Sequence, residues 1–555
     1  LTTLLPASLI VALLAGCGGP APGEHDADGA VAAGKAAANS KQPAESSLSA
    51  SGPASAPAGA STRTRPPGET AIDSQRGDEN QVDDAVADSG QHAQSGGAEE
   101  NSSPPAESIK ESKTPHAETL PDDSPPTAEG QAPSEKASVQ SSHFAADVQS
   151  APPPDWPQFR GPDGQGRSPA RGLPVRWHEH KNIAWKKPIR GLGWSSPAIK
   201  DDRLWLTTAL DKEKSLRLLC LDCRTGETIH DVEVFRKESL GGIHPKNSHA
   251  TPTPILVDDR CYVHFGSHGT AALTLDGEIL WNTELKYYHH HGPAASPVIV
   301  GDMLIVPCDG YNRPFYDERT IAGITDHQFV AALEAATGAI RWKTPRVGTH
   351  SYATPLVIEV NGQMQVVSPG GNQVVAYDPA TGAEIWSCRY KGYSVVPRPV
   401  YGHGLVFVCT GYDSPTLLAI RPDGQGDVTD THVVWQARQA VPLNPSPILI
   451  GDELYIISDL GVASCFDAGS GKVHWRKRLG GNHSASPLYA DGHLYFLDEG
   501  GTTQVVEPGM KCKILAKNLL RDRTQASMAA AGRALYLRSD SHLYRIEDRD
   551  AKPAE

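Results

Sequence analysis

Residues 466–475 read FDAGSGKVHW, and LEAATGAIRW at 333–342 and YDPATGAEIW at 377–386 repeat the same plan. Each leaves an apolar strand, turns over small residues ending in Gly, and enters a second strand that carries a Trp. Gly471, last in its turn, supplies the positive φ that a tight hairpin demands. LDCRTGETIH at 221–230 is a related copy, and LDGEILW at 275–281 is a contracted one. A chain that writes one strand–turn–strand unit again and again is assembled from repeated sheets.

A second recurring element lies upstream of each turn: a small residue, a Pro, an alternating apolar strand, a Gly/Asp turn and another strand. SPVIVGDMLIV from Ser296 and SPILIGDELYII from Ser446 show it most clearly. The prolines are Pro197, Pro254, Pro297, Pro355, Pro399, Pro447 and Pro487, spaced 40 to 58 residues apart, with a degenerate eighth copy at ASMAAAGRALYL from Ala526. That period suits a four-stranded antiparallel propeller blade, and Pro is tolerated where a strand begins. Trp281, Trp342, Trp386, Trp435 and Trp475 fall at equivalent outer-strand ends, where their rings are expected to fill the wedge between blades. After Leu520 only three strands remain, while NIAWKKPI at 182–189 supplies a spare fourth with Trp185 at the matching place. The expectation is therefore an all-β fold, an eight-bladed β-propeller over 181–548, closed by pairing N-terminal with C-terminal strands so that no edge is left open. A lead-in segment, 151–180, precedes it and a short tail, 549–555, follows.

The remainder of the 555 residues differs in kind. From Gly18 to Ser150 the only aromatic is Phe144, and Ala, Ser, Pro, Gly, Asp and Glu dominate. Such a composition cannot bury enough apolar surface to offset ordering entropy, so 17–150 reads as a disordered acidic tether. It holds 21 acidic and 8 basic residues, which leaves 44 acidic and 43 basic elsewhere. No basic excess remains for nucleic acid, and none is expected as a partner. LTTLLPASLIVALLAGCGGP opens the sequence with an apolar run too short to span a bilayer. Leu14-Ala15-Gly16-Cys17 resembles the bacterial lipobox, which implies a signal peptide over 1–16, diacylglycerol on the Cys17 thiol, and a periplasm-facing lipoprotein of the outer membrane. As a flexible coil the tether would reach about 60–70 Å.

The x-D-x-x-T-G-x-x-x-W repeats and the Ser-Pro strand starts resemble the PQQ-like repeat of the quinoprotein alcohol dehydrogenase-like superfamily, over about residues 156–548. DWPQFRGPDGQGRS at 155–168 is similar to the start of many bacterial propeller lipoproteins. The superfamily has an enzymatic branch, whose members hold pyrroloquinoline quinone with calcium on the axis, and a non-enzymatic branch that includes BamB-like lipoproteins. The resemblance to the second implies an envelope protein as partner, with no cofactor and no catalytic residue. A quinone-dependent dehydrogenase, or a small ligand or metal on the axis, is the alternative, although the sequence lacks the adjacent Cys pair and most long insertions of the enzymes.

His249, His291, His350 and His483 lie four to six residues before blade prolines, in loops entering innermost strands, and could form a ligand rim around one channel mouth. The triplet His289-His290-His291 reads as a polar loop. The long connection 309–328 carries Tyr311, Arg313, Phe315, Tyr316 and Arg319, the aromatic and Arg content of a partner-contact loop. Residues 413–430 form an acidic Gly-rich hairpin whose spacing misses a calcium loop. Cys220 and Cys223 lack the second pair a zinc site needs, and the other propeller cysteines read as buried small hydrophobes.

Overall fold

The computed structural model describes residues 155–289, 291–310 and 327–548. Residues 1–154, which include Cys17 and the expected signal peptide and tether, the tail 549–555, and the loop residues Tyr311, Arg313, Phe315, Tyr316 and Arg319 lie outside them. Among the described residues, eight antiparallel sheets follow one another around a ring. The first blade comprises Ala198–Lys200, Arg203–Leu210, Ser215–Asp222 and Thr228–Arg236, ordered from the axis outward as in the chain. The next six repeat that order, with innermost strands at Ile255–Val257, Val298–Val300, Leu356–Val360, Val400–Gly402, Ile448–Ile450 and Leu488–Ala490. Every blade proline stands immediately before its innermost strand, and Met528 takes that place before Ala529–Ala531.

The eighth blade closes the circle as expected. Ala529–Ala531, Ala534–Arg538 and His542–Glu547 receive Ile183–Pro188 as their outer strand, with Trp185 opposite Arg545 and Pro188 opposite His542. Both termini of the fold are thereby hydrogen-bonded to each other.

The opening motif now has a mechanical explanation. In the Asp-x-x-Thr-Gly turns the Asp378 carboxylate accepts from the Ala380 and Thr381 amides and the Thr381 hydroxyl, at 2.9 to 3.0 Å. Asp222 makes the equivalent set and Asp467 accepts from the Ser470 amide and hydroxyl; against partial burial in the case of Asp222, these hydrogen bonds hold both carboxyls below their usual range. The Gly that follows does two things. Gly471 has φ +72°, and a Cβ there would stand 2.6 Å from the Trp435 ring of the preceding blade. Trp435 Nε1 in turn donates to the Ala468 carbonyl at 2.9 Å. Trp185, Trp281, Trp342 and Trp475 dock on the next blade in the same way, through the carbonyls of Cys223, Ala335, Pro379 and Gly509. The repeat is thus a latch in which one blade's Trp seats on the next blade's turn. These rings sit within their strands rather than at the ends. Each buries about 150–250 Å², a gross transfer gain of about 4–6 kcal/mol.

Trp386 departs from the pattern. Its Nε1 donates to Gln365 Oε1 at 2.9 Å, because the acidic hairpin after Ile420 folds back and adds Gly426–Asp427 in parallel to the fourth blade's outer strand. The first blade has His230 at this position, stacked on Trp205. The cysteines of the described blades are free thiols, buried except for the half-buried Cys512.

The small residue before each Pro also has a role. The Ser196 amide donates to Thr253 Oγ1, Thr253 to Ser296 Oγ, and Ser296 to Thr354 Oγ1. After the fourth blade the belt resumes from Arg398 to Ser446, Ser486 and Ser527. Every link is 2.9 or 3.0 Å, so hydroxyls tie neighbouring innermost strands where ladder hydrogen bonds cannot reach. At the fifth blade the hydroxyl is replaced by the guanidinium of Arg398, which points to the axis.

Candidate functional site

The axis has two ends, and this chain closes both. At the end bearing the Gly/Asp and Thr-Gly turns, residues 156–168 of the lead-in segment enter the channel. Trp156 exchanges backbone hydrogen bonds with Ile199 at 2.9 and 2.8 Å, and the Leu256 amide donates to the Pro157 carbonyl. Arg160 donates to the carbonyls of Pro447 at 2.6 Å and Gln165 at 2.7 Å. Arg398 donates to Phe159 at 2.7 Å and to Pro355 at 3.0 Å. Gln165, Gly166 and Ser168 then reach Tyr401, Tyr489 and Ala530. Gly164, at φ +67°, lies flat on the Arg398 guanidinium, where a Cβ would stand 2.5 Å away. One short segment therefore touches six of the eight blades. Both arginines are buried; burial, and for Arg160 also the neighbouring Arg398 charge, pulls Arg160 down to about 9 and Arg398 to about 10. At neutral pH they stay cationic, solvated by carbonyl oxygens.

The opposite face carries the loops between blades. Residues 237–254, between the first and second blades, reach past the eighth blade to the seventh, where Lys246 Nζ meets Glu499 Oε1 at 3.0 Å. The Ser484 hydroxyl also donates to Glu499, and although burial opposes it these contacts hold that carboxyl below its usual range.

Histidines gather beneath this loop in two groups. His249, His268 and His289 form the first, with ring centroids 5.5 Å apart for His249–His268 and 5.2 Å for His268–His289. The second runs from His244 through His291, His350 and Tyr393 to Tyr412, with successive centroids 5.1, 5.7, 5.6 and 6.2 Å apart. Of the four histidines that spacing singles out, the structure places His249 in the first group and His291 and His350 in the second. His483 joins neither: its ring lies between the carbonyls of Leu497 at 2.9 Å and Gly480 at 3.0 Å. Sequence spacing misses His244, His264 and His268, and takes His289 for a plain loop residue. His268 sits in a 3-10 turn, Gly266–His268, that joins the blade's second and third strands on the same face as the prolines, a connection that no count back from a proline samples.

Burial sets the electrostatics. It lowers His264 to about 3, with His268 adding to the effect, lowers His268 to about 4, and drives His289 well below the ordinary imidazole range and His249 in the same direction. The cluster is neutral at pH 7, so it offers lone pairs rather than positive charge and does not suit an anion. A cavity of about 10 Å³, room for about one water, lies between His264, Tyr287, His289, Asp309 and Tyr352. Asp309 is buried and clamped by Arg346, whose Nε lies 2.6 Å from Oδ1. Burial pushes the Asp309 carboxyl up while Arg346 opposes it. Gly310 and His327, which bracket the long connection, are joined by a 2.7 Å backbone hydrogen bond on this same face.

Calcium takes six to eight oxygen ligands. The polar side chains lining the cavity are imidazoles, phenols and the Ser351 hydroxyl, and the carboxylate among them, Asp309, is committed to Arg346, so that lining does not fit a quinone-bound calcium.

Residues 326–447 and 425–510 match the sequence model of a family described as outer membrane protein assembly factor BamB. The fold is an eight-bladed β-propeller, and its middle blades are the part of the chain that this model matches. No curated protein matches the chain. Among solved structures, BamB from Moraxella catarrhalis is 14% identical, covering 67% of this chain and 99% of that one with a TM-score of 0.49. A europium-containing methanol dehydrogenase is 10% identical, covering 70% and 90%, with a TM-score of 0.47. At these identities neither likeness speaks to chemistry.

Proposed function

We propose that the chain is a lipid-anchored scaffold of the cell envelope whose propeller binds a protein partner through its histidine-bearing face. The observation that carries this reading is the closure of the axis. The lead-in segment fills one mouth and the 237–254 loop crosses the other, which leaves surface rather than pocket as the means of recognition. That surface includes Val347, 86% exposed, and Leu460, 65% exposed, both on loops of the histidine face, and the 309–328 connection springs from it. The family model matching the middle blades supports an assembly role. On this reading the propeller needs no quinone, and Cys17 carries the lipid that holds it to the outer membrane.

A photo-crosslinking amino acid at Val347 or Leu460 is expected to trap a discrete envelope partner in cells, while the same probe at Lys472, on the opposite face, traps none. Equal crosslinking from both faces, or none from either, would refute the assignment of that face. Recovery in the membrane fraction is expected to depend on Cys17 and to be lost in Cys17→Ala.

A further inference from the structure

We infer that His249, His268 and His289 form a binding site for a divalent first-row transition metal such as zinc or copper, independent of the scaffold role. Their candidate ligand nitrogens all lie within 4.8 Å of one another. The three rings come from three separate loops, so the fold alone assembles them: the 237–254 loop, the turn Gly266–His268, and the segment after Ile279–Thr283.

The ring environments suit coordination. His249 Nδ1 and His268 Nε2 are buried and have no hydrogen-bond partner. The backbone of Gly241 lies by the His249 ring and that of Leu240 by the His268 ring, where each favours a proton on its imidazole. That is the second-layer support a metal-ligating imidazole uses, since a proton fixed on one nitrogen leaves the lone pair on the other. His289 Nδ1 lies 3.0 Å from Ser267 Oγ and 3.1 Å from the Ser267 amide, which fixes the ring and leaves Nε2 as the coordinating atom. Committing Nε2 to an ion moves the His289 proton to Nδ1, where the Ser267 hydroxyl accepts it and the hydrogen bond from the Ser267 amide is given up. A buried ring nitrogen without a partner costs free energy, and an ion bound to it removes that cost.

An all-imidazole set selects among ions. Calcium and magnesium prefer oxygen, whereas zinc, copper, nickel and cobalt take imidazole readily. Three protein ligands leave a fourth position for water. An ion centred in a triangle of 4.8 Å sides would stand about 2.8 Å from each nitrogen, so each ring must move inward by about 0.7 Å to reach a normal zinc–nitrogen distance. Side chains on loops can supply a movement of that size.

The test uses the full chain, stripped of metal by chelator dialysis and titrated with cobalt(II) by visible absorption, then with zinc(II) by calorimetry and competition. One saturable equivalent is expected, with the absorption of a nitrogen-ligated site, and zinc should displace cobalt and raise the thermal midpoint. His268→Gln should weaken binding about tenfold or more, and His289→Asn takes its place if His268→Gln does not fold. No saturable equivalent, or binding unchanged in the folded variant, overturns the site. Neither result bears on crosslinking from Val347 or Leu460, so the two readings fail separately.

Discussion

The two ends of the axis are closed by opposite chemistry. At the lead-in end, Arg160 and Arg398 are cationic at neutral pH and donate to backbone carbonyls of the segment, Phe159 and Gln165, and of two blades, Pro355 and Pro447. At the loop end, neutral imidazoles crowd together under a loop fastened by a part-exposed ion pair. A cation held by carbonyls is insensitive to pH and stiff. Neutral histidines packed edge to face are sensitive to acid. The same channel thus has a structural end and a responsive one.

Acid should expose this difference most strongly. His264 is lowered to about 3 and His268 to about 4, from an ordinary 6.5. As pH falls below 6.5 the unfolded chain takes up protons that the folded chain refuses, so stability is full above 6.5 and is lost progressively toward pH 4 and below. His264 alone should cost about 2 kcal/mol by pH 5. Urea unfolding at pH 7 and 5 measures the loss, and His264→Gln should flatten it. A profile with no slope between those values would remove the contrast between the ends.

Arg398→Ser comes next in size. It places a hydroxyl where the Ser/Thr belt is interrupted, yet removes the charged hydrogen bonds to Phe159 and Pro355. Stability should fall by about 2–3 kcal/mol, and amide exchange should quicken across 156–168 while the histidine face is unaffected. An unchanged midpoint would mean the belt matters more than the segment it encircles. The smallest effect belongs to Lys246→Ala. A part-exposed pair contributes about 0–1 kcal/mol, so the melting temperature should barely move although exchange rises in 237–254. A loss of several kcal/mol there would make the loop end as stiff as its opposite.

Much of the architecture is legible in the residues because each blade is a local unit. Alternation, Gly at the turn and Pro at the strand start act within about fifty residues, and the spare strand at 182–189 announces its own destination by its Trp. The candidate site is far less legible. Proline spacing finds His249, His291 and His350, because they ride on loops in register with the repeat, and it finds His483 for the same reason although that ring serves two carbonyls. His268 and His289 escape, since their meeting depends on how far two loops lean across a blade. The lead-in DWPQFRGPDGQGRS shows the same limit: its glycines are visible in the sequence, while the guanidinium they accommodate lies more than two hundred residues away.

The blade, its number of copies and the way the ring closes can be read from the residues alone, because those follow from short-range periodicity repeated along the chain. What occupies the axis emerges only when the chain is folded. Arg160 and Arg398, or His249, His268 and His289, become neighbours through ring closure and loop packing, and no pattern along a single strand records which side chains a circle brings face to face.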